Sequence, residues 1–260
     1  MCGDHKKRGG IGKPFKSFPS SPGKLYGIGI GPGDPKLLTL RAKEILDKVD
    51  TIFSPKAKEE GTSIARSIIE ASTSQPKKFV ELTFPMTRDK TVLKIYWRRA
   101  AEKIAKAVSK GKEVAFVTIG DPFIYSTYIY LFKALRQDFP DIRVETIPGI
   151  SAFNAAASRA EVPLVQGNER LAILPVTKDL KGLREAFRDF DTVVLMKVGS
   201  KLDRIMVLLK ELDLLKSSVL VSHVGHPEEK VMGNFYFSKK DKKGGYLSVI
   251  IVKNPGGTEK

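Results

Sequence analysis

From Lys24 to Lys253 the chain exchanges strand-like and helix-like runs in near-regular alternation. That pattern restricts it to sheets whose faces are covered by the intervening helices, an α/β fold. LYGIGI is a short strand diluted by glycine, and LLTLRAKEILDKV has helical apolar spacing at Leu40, Ile45, Leu46 and Val49. DTIFS reads as a strand and TSIARSIIEA as a helix. VLKIYWRRAAEKIAKAVSKG is the clearest helix, apolar at Val92, Ile95, Tyr96, Ile104 and Val108 and stopped at Gly111. EVAFVTI, STYIYLFKALRQ and IRVETI continue the series as strand, helix and strand, closing at Pro148-Gly149.

A second series follows: helix SAFNAAASRA, strand LAILPV, helix LREAFRDF, strand TVVLMKV, helix LDRIMVLLKEL and strand SVLVSHV. NFYFS and YLSVIIV, separated by a Lys/Gly turn, suggest a closing antiparallel hairpin. The expected organisation is a basic leader without apolar periodicity (1–23), an N-terminal α/β domain (24–148), a C-terminal α/β domain (149–253) and a short tail (254–260).

Composition narrows the partners. The formal net charge is +16, which favours an anionic partner such as nucleic acid, an anionic membrane or a polycarboxylated small molecule. Part of the excess lies in the leader (Lys6, Lys7, Arg8, Lys13, Lys16) and around Gly244-Gly245 (Lys239, Lys240, Lys242, Lys243). No apolar run reaches the roughly 18 to 20 residues of a membrane span, and the leader lacks the apolar stretch of a secretory signal. Cys2 is the only cysteine, which excludes an intramolecular disulfide and a cysteine metal cluster. A cytoplasmic location is the expectation.

Glycine occupies every second position at Gly27, Gly29, Gly31 and Gly33. A dinucleotide fingerprint needs glycine at relative positions one, three and six. The sixth position is Pro32, Asp34 or Lys36 in the three possible registers, so each fails. No Gly-Lys-Ser or Gly-Lys-Thr follows, so a Walker phosphate loop fails too. Gly/Pro punctuation nevertheless closes three strands, at Gly31-Pro32-Gly33-Asp34, Gly120-Asp121-Pro122 and Pro148-Gly149-Ile150-Ser151. Carboxyl ends of strands line the ligand crevice of an open α/β sheet. Exposed main chain with Asp carboxylates nearby suits a nucleoside that carries positive charge and no phosphate.

The ordered segments LYGIGIGPGDPKLLTLRA, VTIGDPFIYSTYIYL, ETIPGISAFNAAA, LAILP and VVLMK resemble the tetrapyrrole (corrin/porphyrin) methyltransferase family. GDP-x-x-YST followed by LAILP is similar to its C-20 group, which acts on precorrin-2 or cobalt-factor II in cobalamin biosynthesis. The resemblance implies two α/β domains of the class III methyltransferase type, with S-adenosyl-L-methionine in the cleft between them. It also implies a homodimer, with no metal required and neither nucleic acid nor membrane as partner. Carried onto this chain, it puts Pro32, Ile119, Gly120, Asp121, Ile124 and Thr127 at the cofactor from the first domain. From the second it puts Ser151, Ala152, Ala172, Met196 and Gly225 there.

The chemistry sets further expectations. A sulfonium methyl needs a nucleophile, alignment and exclusion of water, and alignment alone is worth about 7–11 kcal/mol. Asp121 is expected on the ribose or amino group, because a carboxylate tight on the sulfonium would favour the ground state. Asp34 is a candidate for substrate positioning or proton removal, with an Asx-turn role as its alternative. Tyr125 could orient the macrocycle or pack in the core. Lys56, Arg88, Lys90 and Lys197 are basic residues near predicted loops or strand ends that could meet carboxylate arms. His223 and His226, with no cysteine nearby, argue against a structural zinc site. Three other functions remain open at this point: RNA 2′-O-methylation on the same fold, uroporphyrinogen methylation, and binding without turnover.

Overall fold

A computed structural model describes residues 23–56, 64–85, 87, 89–177, 179–233 and 247–254. The leader through Pro22, Arg88, the expected strand NFYFS with its Lys/Gly turn, and residues 255–260 lie outside them.

The first lobe runs β1 (Lys24–Gly29), α1 (Leu40–Lys48), β2 (Thr51–Pro55), α2 (Ile64–Ser72), β3 (Lys78–Leu82), α3 (Lys90–Val108), β4 (Glu113–Thr118), α4 (Tyr128–Asp138) and β5 (Val144–Ile147). Its strands form one parallel sheet in the order β3-β2-β4-β1-β5. Side chains alternate across it, as the pleat demands. Leu25, Phe53, Val114 and Phe116 pack with α3 and α4 on one face. Tyr26, Ile28, Ile52, Ala115 and Val117 pack with α1 and α2 on the other. Side-chain caps fix two helix starts: Thr39 Oγ1 accepts from Ala42 N at 3.2 Å, and Asp89 Oδ1 accepts from Thr91 N and Val92 N at 2.8 and 3.2 Å.

The second lobe comprises α5 (Ala152–Ala160), β6 (Leu171–Pro175), α6 (Lys181–Asp189), β7 (Thr192–Met196), α7 (Leu202–Glu211), β8 (Ser218–Ser222), β9 (Lys230–Gly233) and β10 (Ser248–Lys253). The strand order is β6-β7-β10-β8-β9, with β6 and β7 parallel and every other neighbouring pair antiparallel. α5 packs on Val194, Val219, Val221, Val249 and Ile251, while α6 and α7 cover the opposite face. YLSVIIV therefore enters the middle of this sheet, with β7 and β8 as its neighbours. β3 and β9, which the apolar pattern does not announce, are edge strands whose burial is slight.

β1 explains its glycines. Gly27 and Gly29 fall on the face towards α3 and α4, alternate to Tyr26 and Ile28. A Cβ on Gly27 would lie 2.1–2.3 Å from the Tyr128 ring, so that fully buried ring fills the volume a side chain would take. The Tyr128 hydroxyl bonds Thr146 Oγ1 at 2.6 Å, and burial pushes its pKa up to about 12. A Cβ on Gly29 would meet Gly120 O at 2.5 Å and Gly149 N at 2.7 Å. The glycines thus bring backbone and one aromatic ring against the strand. Gly27→Ala is expected to cost about 1–3 kcal/mol by overpacking, measured by urea denaturation. Combined with Tyr128→Leu, which opens the space, the two losses should be less than additive.

Candidate active site

The three strands that end in Gly/Pro turns are adjacent in the first sheet, in the order β4-β1-β5. The helices after β1 and β4 leave on opposite faces, since α1 packs with one core cluster and α4 with the other. A crevice at the carboxyl ends of β1 and β4 follows from that divergence.

The base of the crevice is main chain. Gly120 N donates to Gly31 O at 2.8 Å, forming an isolated bridge between the two turns. Both glycines take left-handed backbone, φ 76° and 73°, which other residues adopt at a cost. Asp121 ties the third turn in: Oδ1 accepts from Phe123 N at 2.8 Å and Oδ2 from Gly149 N at 3.2 Å. A Cβ on Gly120 would have Ala152 N, at 4.0 Å, as its one neighbour within that distance. The space in front of Gly120 is therefore open and faces the start of α5, where the Ser151 side chain makes no capping bond.

The second lobe meets this crevice at two places. Its loop after β8 interlocks with the loop after β1: a Cβ on Gly225 would lie 2.5 Å from Asp34 N, and one on Gly33 would lie 2.6 Å from the His226 ring. His226 Nε2 is buried there without a hydrogen-bond partner among the described residues. On the other side, the Tyr125 hydroxyl donates to Ile173 O in β6 at 2.8 Å. Lys197, directly after β7, sets its ammonium 5.7 Å from the Tyr125 ring centroid. Loss of hydration among these neighbours, with some repulsion from Lys201, lowers the Lys197 pKa from its ordinary value.

The expected site residues fall as follows. Gly120, Asp121, Ser151 and Ala152 come together at the open space in front of Gly120. Pro32 is buried in the first turn, and Ile119 packs towards the α1 and α2 core. Ile124 is exposed on the loop after β4, and Thr127 precedes α4 without making a side-chain cap. Ser126 supplies that bond, its Oγ accepting from Tyr128 N at 2.9 Å. The Ala172 methyl belongs to the core under α6 and α7, so a ligand would meet its backbone; Met196 packs on the α5 side, next to Lys197. The Gly225 amide is committed to Glu229 Oε2 at 2.7 Å. Asp34 performs the Asx alternative, Oδ1 accepting from Lys36 N at 2.8 Å, while Oδ2 has no protein hydrogen bond among the described residues. Nothing in the sequence spacing of His226 signals its contact with Gly33. Among the described residues there is no cluster of three or more His, Cys, Asp or Glu fit for a metal ion, and no helix long and apolar enough to cross a membrane.

The sequence profile of the tetrapyrrole (corrin/porphyrin) methylases matches residues 24–235. A protein of Methanocaldococcus jannaschii, described as a probable cobalt-precorrin-2 C(20)-methyltransferase, is 41% identical over 231 residues, covering 88% of this chain and 96% of its own. The cobalt-precorrin-2 C(20)-methyltransferase of Salmonella typhimurium is 33% identical over 230 residues, covering 88% and 96%. Among solved structures, uroporphyrin-III C-methyltransferase from Thermus thermophilus, in complex with S-adenosylhomocysteine, superimposes with a TM-score of 0.61 at 19% identity. That match covers 88% of this chain and 92% of the other.

The interlock of the two loops yields a direct test. Gly225→Ala forces a left-handed alanine, about 1–2 kcal/mol by itself, and drives its methyl into the Asp34 amide. Lower stability in urea and faster proteolysis between the lobes are expected, whereas Gly182→Ala in α6, where an added Cβ meets nothing within 4 Å, should leave proteolysis unchanged and raise stability by about 0.4–1 kcal/mol.

Proposed function

Because the chain belongs to the tetrapyrrole (corrin/porphyrin) methylases, we propose that it transfers a methyl group from S-adenosyl-L-methionine to C-20 of precorrin-2 or its cobalt-bearing counterpart, in cobalamin biosynthesis. The observation that carries the reading is 41% identity to a probable cobalt-precorrin-2 C(20)-methyltransferase across 88% of this chain. Cobalt enters, if at all, as part of the substrate. The methyl transfer itself needs no metal of the protein's own.

The residues fit a phosphate-free nucleoside. Four amides at these turns are already taken, those of Phe123, Gly149 and Lys36 by carboxylates and that of Gly120 by the Gly31 carbonyl. These four are not free to build the outward-pointing nest that a phosphate needs. The open space in front of Gly120 admits a ligand against main chain and the start of α5. When bound there, the sulfonium supplies an already activated methyl group. Pro32, Ile119, Gly120, Asp121, Ser151 and Ala152 then hold the donor, with Asp121 keeping lone pairs for a hydroxyl or an amino group. Ile124, Thr127, Met196 and the backbones of Ala172 and Gly225 complete its surround. Asp34 Oδ2 faces the remaining work of placing substrate or receiving its proton. Lys197, beside the Tyr125 ring, offers a cation to the carboxylate arms, and Lys56 and Lys90 add to the positive field.

The reading carries a cytoplasmic homodimer. Sedimentation at micromolar concentration should give twice the mass of one chain.

The deciding experiment incubates the protein with labelled S-adenosylmethionine and both metal-free and cobalt-loaded dimethylated tetrapyrrole, then locates the label. Label at C-20 is expected; label on uroporphyrinogen or on ribosomal RNA instead would overturn the reading. Asp121→Ala should weaken cofactor binding by roughly ten-fold or more, since two turn contacts go with the side chain. Tetrapyrrole affinity should fall with added salt. It should also fall as pH rises through the lowered pKa of Lys197, because the ammonium that attracts the arms is lost there. Lys197→Gln should show the weaker affinity already at neutral pH, with a flatter pH profile.

A further inference from the structure

Tyr125 holds left-handed backbone, φ 51°, which a bulky side chain adopts only where its surroundings over-determine it. Three features of the structure do so. Its hydroxyl crosses from the first lobe to donate to Ile173 O at 2.8 Å. Its ring lies 5.7 Å from the ammonium of Lys197, itself left-handed at φ 55°. And β6 is an edge strand, so its outward carbonyls lack a neighbouring strand to bond them. The hydroxyl thus takes the place of a missing ladder donor.

Resting on the reading of the seam as a S-adenosylmethionine site, we propose that Tyr125 is a latch between the lobes. It is a positioning residue: it holds the Gly120–Tyr125 turn at a fixed spacing from the strands that carry Ala172 and Met196, and it does not handle the macrocycle. The contact is built to open. Tyr125 is 38% exposed, so water competes for its hydroxyl. A neutral hydrogen bond in such a place shifts an equilibrium about two- to ten-fold, enough to favour the closed seam without locking it. Ligand affinity then scales with the fraction of molecules that are closed. The cost of the left-handed backbone is met only while the latch is made, so it offsets part of the bond and keeps the two states near balance.

Tyr125→Phe removes the hydroxyl and keeps the ring beneath Lys197. Spin labels at Lys103→Cys on α3 and Lys210→Cys on α7, both exposed, in a Cys2→Ser background, report the spacing of the lobes. The latch predicts a broader distance distribution with a longer component in Tyr125→Phe. It also predicts S-adenosylhomocysteine binding weaker by about three- to ten-fold, with kcat at saturating cofactor changed by no more than about two-fold. The melting temperature without ligand should fall by no more than about 2–4 °C, the size of one exposed hydrogen bond's contribution. Identical distance distributions would overturn the latch. So would a large loss of kcat with affinity and spacing intact, because the hydroxyl would then be acting on substrate. Failure of the unaltered protein to bind S-adenosylhomocysteine would sink the cofactor reading instead, and the distance comparison would still decide the latch.

Discussion

On one face of the first strand two successive positions, Gly27 and Gly29, carry no side chain, and the centre of the molecule is arranged around that omission. At Gly27 an aromatic ring stands where a side chain would be, and at Gly29 two other turns come within backbone contact. A methyl group at either place would push β1 away from α4 or spread the three turns apart. The main-chain bridge from Gly31 to Gly120 and the Asp121 bond to Gly149 depend on that closeness. Close packing of the interior makes such positions unforgiving, because displaced atoms have no void to enter. Stability and site geometry here are therefore one constraint and not two.

Most strands and helices of both sheets were legible because buried strands and amphipathic helices carry strong apolar periods. β3 and β9 were not. Lys78–Leu82 buries one side chain fully and Lys230–Gly233 none, so their strand character comes from ladder bonds that a pattern of side chains does not record. The Gly/Pro turns could be read as strand ends, but their adjacency required the strand order. What each glycine accommodates could not be read at all. Tyr128, Gly149 and His226 are distant in sequence from Gly27, Gly29 and Gly33, and a missing Cβ does not name what fills its place. Asp34 shows the limit from the other side. Its residue type fitted both proton transfer and an Asx turn, and only the bond from Lys36 N shows that the turn role is present.

A glycine-rich turn after a first strand usually suggests phosphate, and this one differs in how its donors are spent. Phosphate cradles leave successive amides aimed at solvent. Here the amides of Phe123, Gly149 and Lys36 are taken by carboxylates and that of Gly120 by the Gly31 carbonyl, so they are not aimed at solvent. Lys197 stands beside the Tyr125 ring, on the far side of the crevice from the interlocked loops.

β10, the last described strand, lies third of five in the second sheet. During synthesis the first lobe has all its strands once Ile147 is out of the ribosome. Its neighbour has an empty central slot until Ser248–Lys253 follows. Domains generally fold as units in order of emergence. The nascent chain thus passes through an interval in which one half is finished and the other cannot close, with β7 and β8 exposing unpaired edges to each other. A stop codon or frameshift shortly before Ser248 would leave not a trimmed enzyme but a folded half joined to an aggregation-prone remnant.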